Sequence, residues 1–174
     1  MSMYLDVVGI AGESLSPVPN WKDKIDDNSM GYDVSQKTSL EAGSGLIAGG
    51  AIFGPMQISK VMDRSTPYLW AKLCAGEPIQ TVTIRVSRTG GAAGLYEAEK
   101  YILENVIVTS YHTSGSPGPG GLPMESWSLA FTAITEIYRT VDLKGAFVAT
   151  QTAGWDVSAN KVHTGPNATM GNPS

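Results

Sequence analysis

The sequence predicts a mainly β protein, namely a small antiparallel β-barrel or sandwich flanked by one short α-helix. Segments in which apolar and polar residues alternate recur along the 174-residue chain, and only one segment has helical spacing. Twenty glycines and ten prolines favour many turns between short strands. Hydrophobic residues make up 42% of the chain and charged residues 16%, so a single domain can bury a sizeable core.

The chain before the helix alternates between strands and turn-rich stretches. Residues 4–10 predict a strand because Val, Leu and Ile dominate and glycines close the run. Residues 25–37 predict a weaker strand with apolar side chains at alternate positions. Residues 38–54 shift to Gly, Ala and Ser, which predicts an extended loop without structure of its own. Residues 57–61 resume a strand.

One helix is predicted between residues 65 and 76. Ser65 or Thr66 can cap its start, Pro67 fits its first turn, and Gly76 fits the position after its end. The apolar face predicted to be buried consists of Leu69, Trp70, Leu73 and Cys74.

The chain after the helix is predicted to be strands. Residues 79–88 alternate regularly, and residues 96–111 hold one long strand or two broken ones. Residues 114–123 are predicted to form a flexible loop rich in Gly and Pro. The core candidates in this region are Val82, Ile84, Val86, Tyr101, Leu103, Val106 and Val108.

The last third repeats the strand pattern and then loses it. Residues 127–133 alternate, and a shift of phase towards Ile134 and Ile137 suggests a bulge. Residues 146–157 predict the last strand. The polar segment 161–174, rich in Gly, Pro and Asn, predicts a flexible C-terminal tail after a domain of residues 1–160.

Charge and hydropathy exclude several classes of protein. The net charge of −4 argues against a nucleic-acid-binding module, which needs a basic surface. A single cysteine forms no internal disulfide. No apolar run is long enough to insert into a membrane. The first residues lack the features of a secretory signal, so we expect synthesis and folding in the cytoplasm.

The residue types that carry chemistry are few and scattered. His112 and His163 have no partner at metal-ligand spacing, and Cys74 has no second cysteine. The glycine-rich segments lack the Gly-Lys-Ser/Thr of a phosphate loop, and no Gly-X-Ser-X-Gly elbow is present. The sequence therefore predicts no enzyme, with no catalytic, cofactor or metal site.

Two rival functions stay open on residues alone. Trp21 and Trp155 could form the stacking platform of a carbohydrate-binding β-barrel, because core packing explains the other two tryptophans better. A small hydrolase with a site around His112 is the second rival, although a general base needs a positioned partner.

The glycine-rich segment 38–54 is unusual for a compact domain. Loops of this length are uncommon and usually have a function. Its apolar side chains would be exposed to water in an isolated loop. The sequence therefore favours an arm that becomes ordered against another subunit over the alternative of a flexible hairpin tip. The candidate contact residues are Gly43, Gly45, Leu46, Ile47, Gly49, Gly50, Ile52 and Phe53.

Six segments, in order from residue 4 to about residue 160, form a recognisable pattern. They are Tyr4 to Ser14 with the Gly12-Glu13-Ser14 turn, Gly31 followed by Ser35-Gln36, Asp63-Arg64-Ser65-Thr66-Pro67-Tyr68-Leu69, residues 101–110, Glu125 to Phe131 followed by Tyr138, and Gly154-Trp155-Asp156. Together these segments resemble the Hcp (haemolysin-coregulated protein) family, the inner-tube component of bacterial type VI secretion. Two positions depart mildly from the family pattern, with Trp127 where Val is common and Arg64 where Lys is common.

This resemblance implies a barrel related to phage tail-tube proteins and a structural role. Six copies would form a ring, and stacked rings would form a hollow tube that a contractile sheath propels behind a spike trimer. Small effector proteins would travel in the lumen, with Ser35 and Gln36 as candidate wall residues, and the protein would be secreted. A phage or phage-like tail-tube subunit is the nearest alternative, because it differs from a secretion-tube subunit in genetic setting rather than in physical properties.

Overall fold

The computed structural model describes residues 2–16, 21–41, 43, 45–90, 94–117 and 121–165. Within them the chain forms twelve β-strands and one α-helix. In order these are β1 (Ser2–Val7), β2 (Ile25–Asp27), β3 (Ser29–Gly31), β4 (Val34–Glu41), β5 (Gly45–Phe53), β6 (Met56–Val61), α1 (Thr66–Ala75), β7 (Ile79–Gly90), β8 (Gly94–Pro117), β9 (Pro123–Ala130), β10 (Ala133–Val141), β11 (Phe147–Asp156) and β12 (Lys161–Val162).

Antiparallel pairing runs in a circuit around the core. β7 pairs with β1 and β8, β8 also pairs with β9, β9 pairs with β6, and β6 pairs with β3. β2 pairs with β1, and only Asn28 separates β2 from β3, so the continuous chain completes the circuit. The predicted small antiparallel barrel flanked by one helix is confirmed. β10, β11 and β12 extend the sheet outward from β8.

The 24-residue strand β8 serves both halves of the barrel. Asn105 has a φ of 47°, a left-handed conformation that asparagine adopts more easily than most residues. Before Asn105 the strand pairs with β7 and β10. Val106 still pairs with Ile79 of β7, and from Ile107 onward the strand pairs with β9. Of the two alternatives for residues 96–111, the single long strand is confirmed. The strand continues to Pro117 and β9 begins at Pro123, so much of the predicted loop 114–123 is strand, while residues 118–120 lie outside the described residues.

The shift of phase after residue 131 has a different cause from the predicted bulge. The chain turns a corner at Phe131 and Thr132, where the Thr132 amide donates to the carbonyl oxygen of Glu104 at 3.0 Å. β9 before the corner pairs with the second part of β8, and β10 after it pairs with the first part. The pattern changes phase because two strands meet there.

The core contains the side chains expected from the alternation. All seven core candidates of β7 and β8 are buried. Others in the core cluster are Leu5, Val7, Ile25, Met56, Ile58, Leu69, Trp127, Leu129 and Ile134.

The helix buries a narrower face than the sequence predicts. Leu69 is buried and Leu73 packs against the core, but Trp70 and Cys74 are exposed. The prediction was wrong for these two residues because α1 packs against the barrel through the side of the helix that carries Leu69 and Leu73. Gly76 ends the helix in a left-handed conformation, as predicted. No helix in the described part of the chain has the length and apolar character needed to cross a membrane.

Residues 161–165 fold back onto the sheet. β12 pairs with the end of β11, and His163 Nε2 lies 2.6 Å from Glu104 Oε1. The prediction of a flexible tail from residue 161 was therefore wrong for this stretch, because backbone pairing and the histidine contact hold it. Residues 166–174 lie outside the described residues.

A buried ion pair fastens the helix start to the barrel. Lys60 of β6 and Glu125 of β9 are directly opposite each other, fully buried, with Nζ 2.9 Å from Oε2. Lys60 Nζ also lies 2.8 Å from Asp63 Oδ1 and donates to Thr66 Oγ1 at 2.9 Å. Thr66 in turn donates to Glu125 at 2.8 Å. Ser65 occupies the predicted cap position, but it makes no cap hydrogen bond and its amide donates to Asp63 instead.

A second buried carboxyl group lies where the chain closes the barrel. Asp27 of β2 is only 6% exposed, and neither of its carboxyl oxygens has a well-formed hydrogen bond within the described residues. Burial raises the pKa of Asp27 to about 7, because the nearby amides of Ser29 and Ser59 and the charge of Lys60 oppose the loss of hydration only in part.

We predict that Lys60→Met lowers the free energy of unfolding by ~3–5 kcal/mol, because it leaves the Glu125 carboxylate buried without its cation. Urea unfolding followed by circular dichroism measures the change. The matched control is Lys72→Met, which removes a lysine whose partner Glu77 is exposed, and its unfolding midpoint should stay close to that of wild type. Equal effects of the two substitutions would contradict the structural role of the buried pair.

We predict that Asp27 makes the fold less stable as pH rises from about 4 to 7. The folded state keeps the Asp27 proton to about pH 7, whereas the unfolded chain loses it near 3.8, so the folded state binds more protons throughout this interval. The contribution reaches at most about 4 kcal/mol above pH 7. Asp27→Asn should flatten the curve of unfolding free energy against pH, and the exposed neighbour Asp26→Asn should not; parallel curves for wild type and Asp27→Asn would refute the burial effect.

Candidate functional site

The glycine-rich segment 38–54 belongs to a β-hairpin that projects from the barrel and consists of β4 and β5. β4 and β5 pair from Val34 and Phe53 at the base to Glu41 and Gly45 at the tip, and form a separate two-stranded sheet. The prediction that residues 38–54 lack regular structure was wrong. The pairing of β4 with β5 supplies the strand structure, and Gly43, between the two strands, has a φ of 92° that favours glycine.

A close backbone approach explains one of the glycines in the hairpin. A Cβ atom at Gly50 would lie 3.0 Å from Asn160 Nδ2, and the Ala51 amide donates to Asn160 Oδ1 at 3.3 Å. Gly50 therefore lets the turn after β11 contact the lower part of the hairpin. At this position glycine is needed for the close contact with Asn160 rather than for backbone flexibility.

Most apolar side chains of the hairpin are exposed. Leu40 and Leu46 are directly opposite each other near the tip and are 82% and 72% exposed. Ile47 and Ile52 are also exposed. Four of the eight candidate contact residues have large side chains, and Phe53 is the exception among these four because it packs edge-on against Phe131, with ring centroids 6.2 Å apart. The hairpin thus presents apolar surface that the described residues leave uncovered.

A cleft of about 370 Å³ lies between the lower part of the hairpin and the β10–β11 sheet. Both faces contribute apolar side chains, and the cleft opens to solvent. Its lining residues are Tyr32, Val34, Gln36, Ala51, Phe53, Ile134, Glu136, Ala153, Gly154 and Trp155.

Two tyrosines hold the carboxylate of Glu136 in this cleft. Tyr32 Oη donates to Glu136 Oε2 at 3.2 Å, and Tyr101 Oη lies 3.5 Å from Oε1. Burial, followed by the negative charge of Glu136, raises the pKa of Tyr32 to about 12, and the same causes raise the pKa of Tyr101. Both phenols therefore stay protonated at neutral pH and act as donors. Sequence reasoning missed this group because Tyr32 and Glu136 are 104 residues apart and follow no motif.

The two candidate lumen residues lie on opposite faces of β4. Gln36 lines the cleft, and its Nε2 donates to the Gly49 carbonyl oxygen. Ser35 is paired with Ile52 on the other face of the hairpin. Both are exposed. The structure therefore does not bring them together on one surface.

The remaining candidates from the sequence lie apart from the cleft or are buried. Trp21 is buried and stacks on Tyr4, with ring centroids 5.3 Å apart, so the sugar platform of Trp21 and Trp155 was wrong. His112 is exposed on β8, in register with Ser126. Among the residues that the structure describes, no group of three His, Cys, Asp or Glu side chains could hold a metal ion.

Comparisons with known proteins identify the family. The family model described as "Type VI secretion system effector, Hcp" matches residues 4–138. A search of curated protein sequences found no match. Among solved structures, a protein described as a type six secretion system protein is 23% identical with a TM-score of 0.83, over 93% of this chain and 99% of that one.

Two further structures are similar over nearly the whole chain. Hcp1 from Salmonella typhimurium is 26% identical with a TM-score of 0.72, over 93% of this chain and 98% of that one. A type VI secretion system effector from Yersinia pestis is 25% identical with a TM-score of 0.67, over 89% and 99%. The family match spans more than half of the sequence and the fold agrees over most of it, so this chain belongs to the Hcp family of type VI secretion system proteins.

Proposed function

We propose that this chain is the structural subunit of a type VI secretion tube. Six copies close into a ring, rings stack into a hollow tube, and effector proteins travel in its lumen. The ring surfaces meet a contractile sheath outside and a spike trimer at the tip. The protein is made in the cytoplasm and leaves the cell through the type VI apparatus. Its role is structural rather than catalytic.

The observation that carries this proposal is the projecting hairpin. A two-stranded ribbon is marginally stable alone in water, and this one also exposes Leu40, Leu46, Ile47 and Ile52. Contact with another copy would cover these side chains and complete the ribbon. A ring made by head-to-tail contacts needs two different complementary surfaces on each copy, and the hairpin supplies one of them.

We propose that the hairpin contacts the next ring of a stack rather than the neighbour within a ring. Its two strands form a sheet of their own, and the base is held to the body by Phe53 and by the Asn160 contact. An element attached only at its base can reach beyond the edge of its own ring. Of the two lumen candidates we retain Ser35, because Gln36 is turned into the cleft.

We predict that the purified chain forms a ring of about 110 kDa, the mass of six chains of 18.4 kDa in closed cyclic symmetry. Light scattering on a sizing column gives the mass, and negative-stain images give the shape. A chain that stays monomeric at every accessible concentration, with no ring in images, would contradict the proposed assembly.

We predict that shortening Gly43–Gly50 leaves six-subunit rings intact and abolishes stacking and secretion, because the apolar tip of the hairpin is lost. The subtler variant Leu40→Ser/Leu46→Ser keeps the backbone and should weaken stacking in the same direction. Leu15→Ser, which removes an equally exposed leucine outside the hairpin, is the control and should stack like wild type. Sedimentation velocity separates rings from stacks, and normal stacks from both hairpin variants would refute the contact.

A further inference from the structure

We propose that the turn between β10 and β11 of one copy inserts into the cleft beside the hairpin of a copy in the next ring. Leu143 would enter the apolar part of the cleft, and Lys144 would pair with Glu136. The inference rests on the proposed self-assembly and names the surface that receives each ring. The occupant of the cleft is thus a second copy of this chain.

The turn is built to present these two side chains. Asp142 Oδ1 accepts hydrogen bonds from the amides of Lys144 and Ala146, both at 2.8 Å. The Asp142 amide donates to the Ala146 carbonyl oxygen at 2.9 Å, and the Gly145 amide donates to that of Asp142 at 3.0 Å. These bonds fix the turn before any partner arrives, which lowers the entropic cost of binding. Leu143 is fully exposed at the tip of this rigid turn.

The cleft is complementary to this turn in shape and charge. Its volume of about 370 Å³ accommodates an apolar side chain between Phe53 and Trp155. Glu136 is exposed there, and the contacts described for its carboxylate are the hydroxyls of Tyr32 and Tyr101. A lysine that arrives next to a leucine would therefore meet a positioned carboxylate at the edge of an apolar surface.

A single copy cannot fill its own cleft. Glu136 pairs with Ala153 near one end of the β10–β11 pair, and Val141 pairs with Phe147 at the other end, next to the turn. At ~3.3 Å per residue the turn and the cleft are roughly 25 Å apart along the strands. Two complementary surfaces at opposite ends of one element produce a head-to-tail contact that repeats from copy to copy. The hairpin, our candidate for contact between rings, forms one wall of this cleft, which assigns the contact to stacking.

Reversal of the two charges tests the pairing. Lys144→Glu and Glu136→Lys should each leave rings intact and raise the concentration needed for stacking about tenfold, as expected for a juxtaposed pair of like charges. The combination of both substitutions in one chain should restore stacking, because every contact then holds the reversed pair. Lys22→Glu, an exposed lysine elsewhere, is the control and should stack like wild type. Thermal unfolding of Glu136→Lys checks that the loss of the tyrosine contacts has not unfolded the protein.

A disulfide trap tests the contact even where stacks do not accumulate. Leu143→Cys and Ala153→Cys are introduced together with Cys74→Ser, which removes the native thiol. Oxidation should give a ladder of linked chains, and a link within one chain is excluded because disulfides require Cα atoms within about 7 Å. Leu15→Cys with Ala153→Cys is the matched control, and it should give no ladder.

The outcomes separate this contact from the proposed function. A ladder without six-subunit rings would support the contact and overturn the ring. Rings in which Lys144→Glu stacks normally and no ladder forms would overturn the contact and leave the tube proposal standing. Loss of the rings themselves in Lys144→Glu, with its fold intact, would overturn the assignment of this contact to stacking.

Discussion

The buried pair of Lys60 and Glu125 is the interaction on which the rest of the barrel depends. It joins β6 to β9 at directly opposite positions, and it reaches the helix through Thr66. Tyr111 and Trp127 donate to the same carboxylate at 3.0 and 3.3 Å. Two charges inside a core are costly unless each is paired and hydrogen-bonded, so a shifted register would leave both without partners. The pair thus couples the register of two strands to the position of α1.

The corners of the barrel explain how the cleft arises. Asn28 carries the chain from β2 to β3, and β8 bends at Asn105 close to the corner at Thr132, where Asn105 Nδ2 donates to Thr132 Oγ1 at 3.2 Å. Past that corner, β10 and β11 leave the barrel as an extension of the sheet. The hairpin projects beside this extension, so the space between them is open to solvent. The barrel is therefore the base from which the hairpin and the β10–β11 extension both project.

Sequence reasoning succeeded where one local rule decides the structure. Alternation placed the core of residues 79–88 correctly, and Gly76 marked the helix end. It failed for the hairpin, because Gly, Ala and Ser have weak strand preference and the pairing of β4 with β5 supplies the structure instead. It also failed for Trp70, since helical spacing identifies a face but not how much of that face a neighbour covers. The cleft had no sequence signal, because its walls come from segments about 100 residues apart.

The positions of the exposed apolar groups argue for a directional assembly. The hairpin and the cleft lie beside the end of the β10–β11 pair that carries Trp155, and Leu143 lies beyond the opposite end. A surface that bound its own kind face to face would close a dimer and stop growing. Two different surfaces at opposite ends behave otherwise, because each added copy leaves one free surface of each kind. Every copy then points the same way, and growth can continue. A tube with distinct front and back ends requires this property, and the proposed contact between the β10–β11 turn and the cleft would provide it.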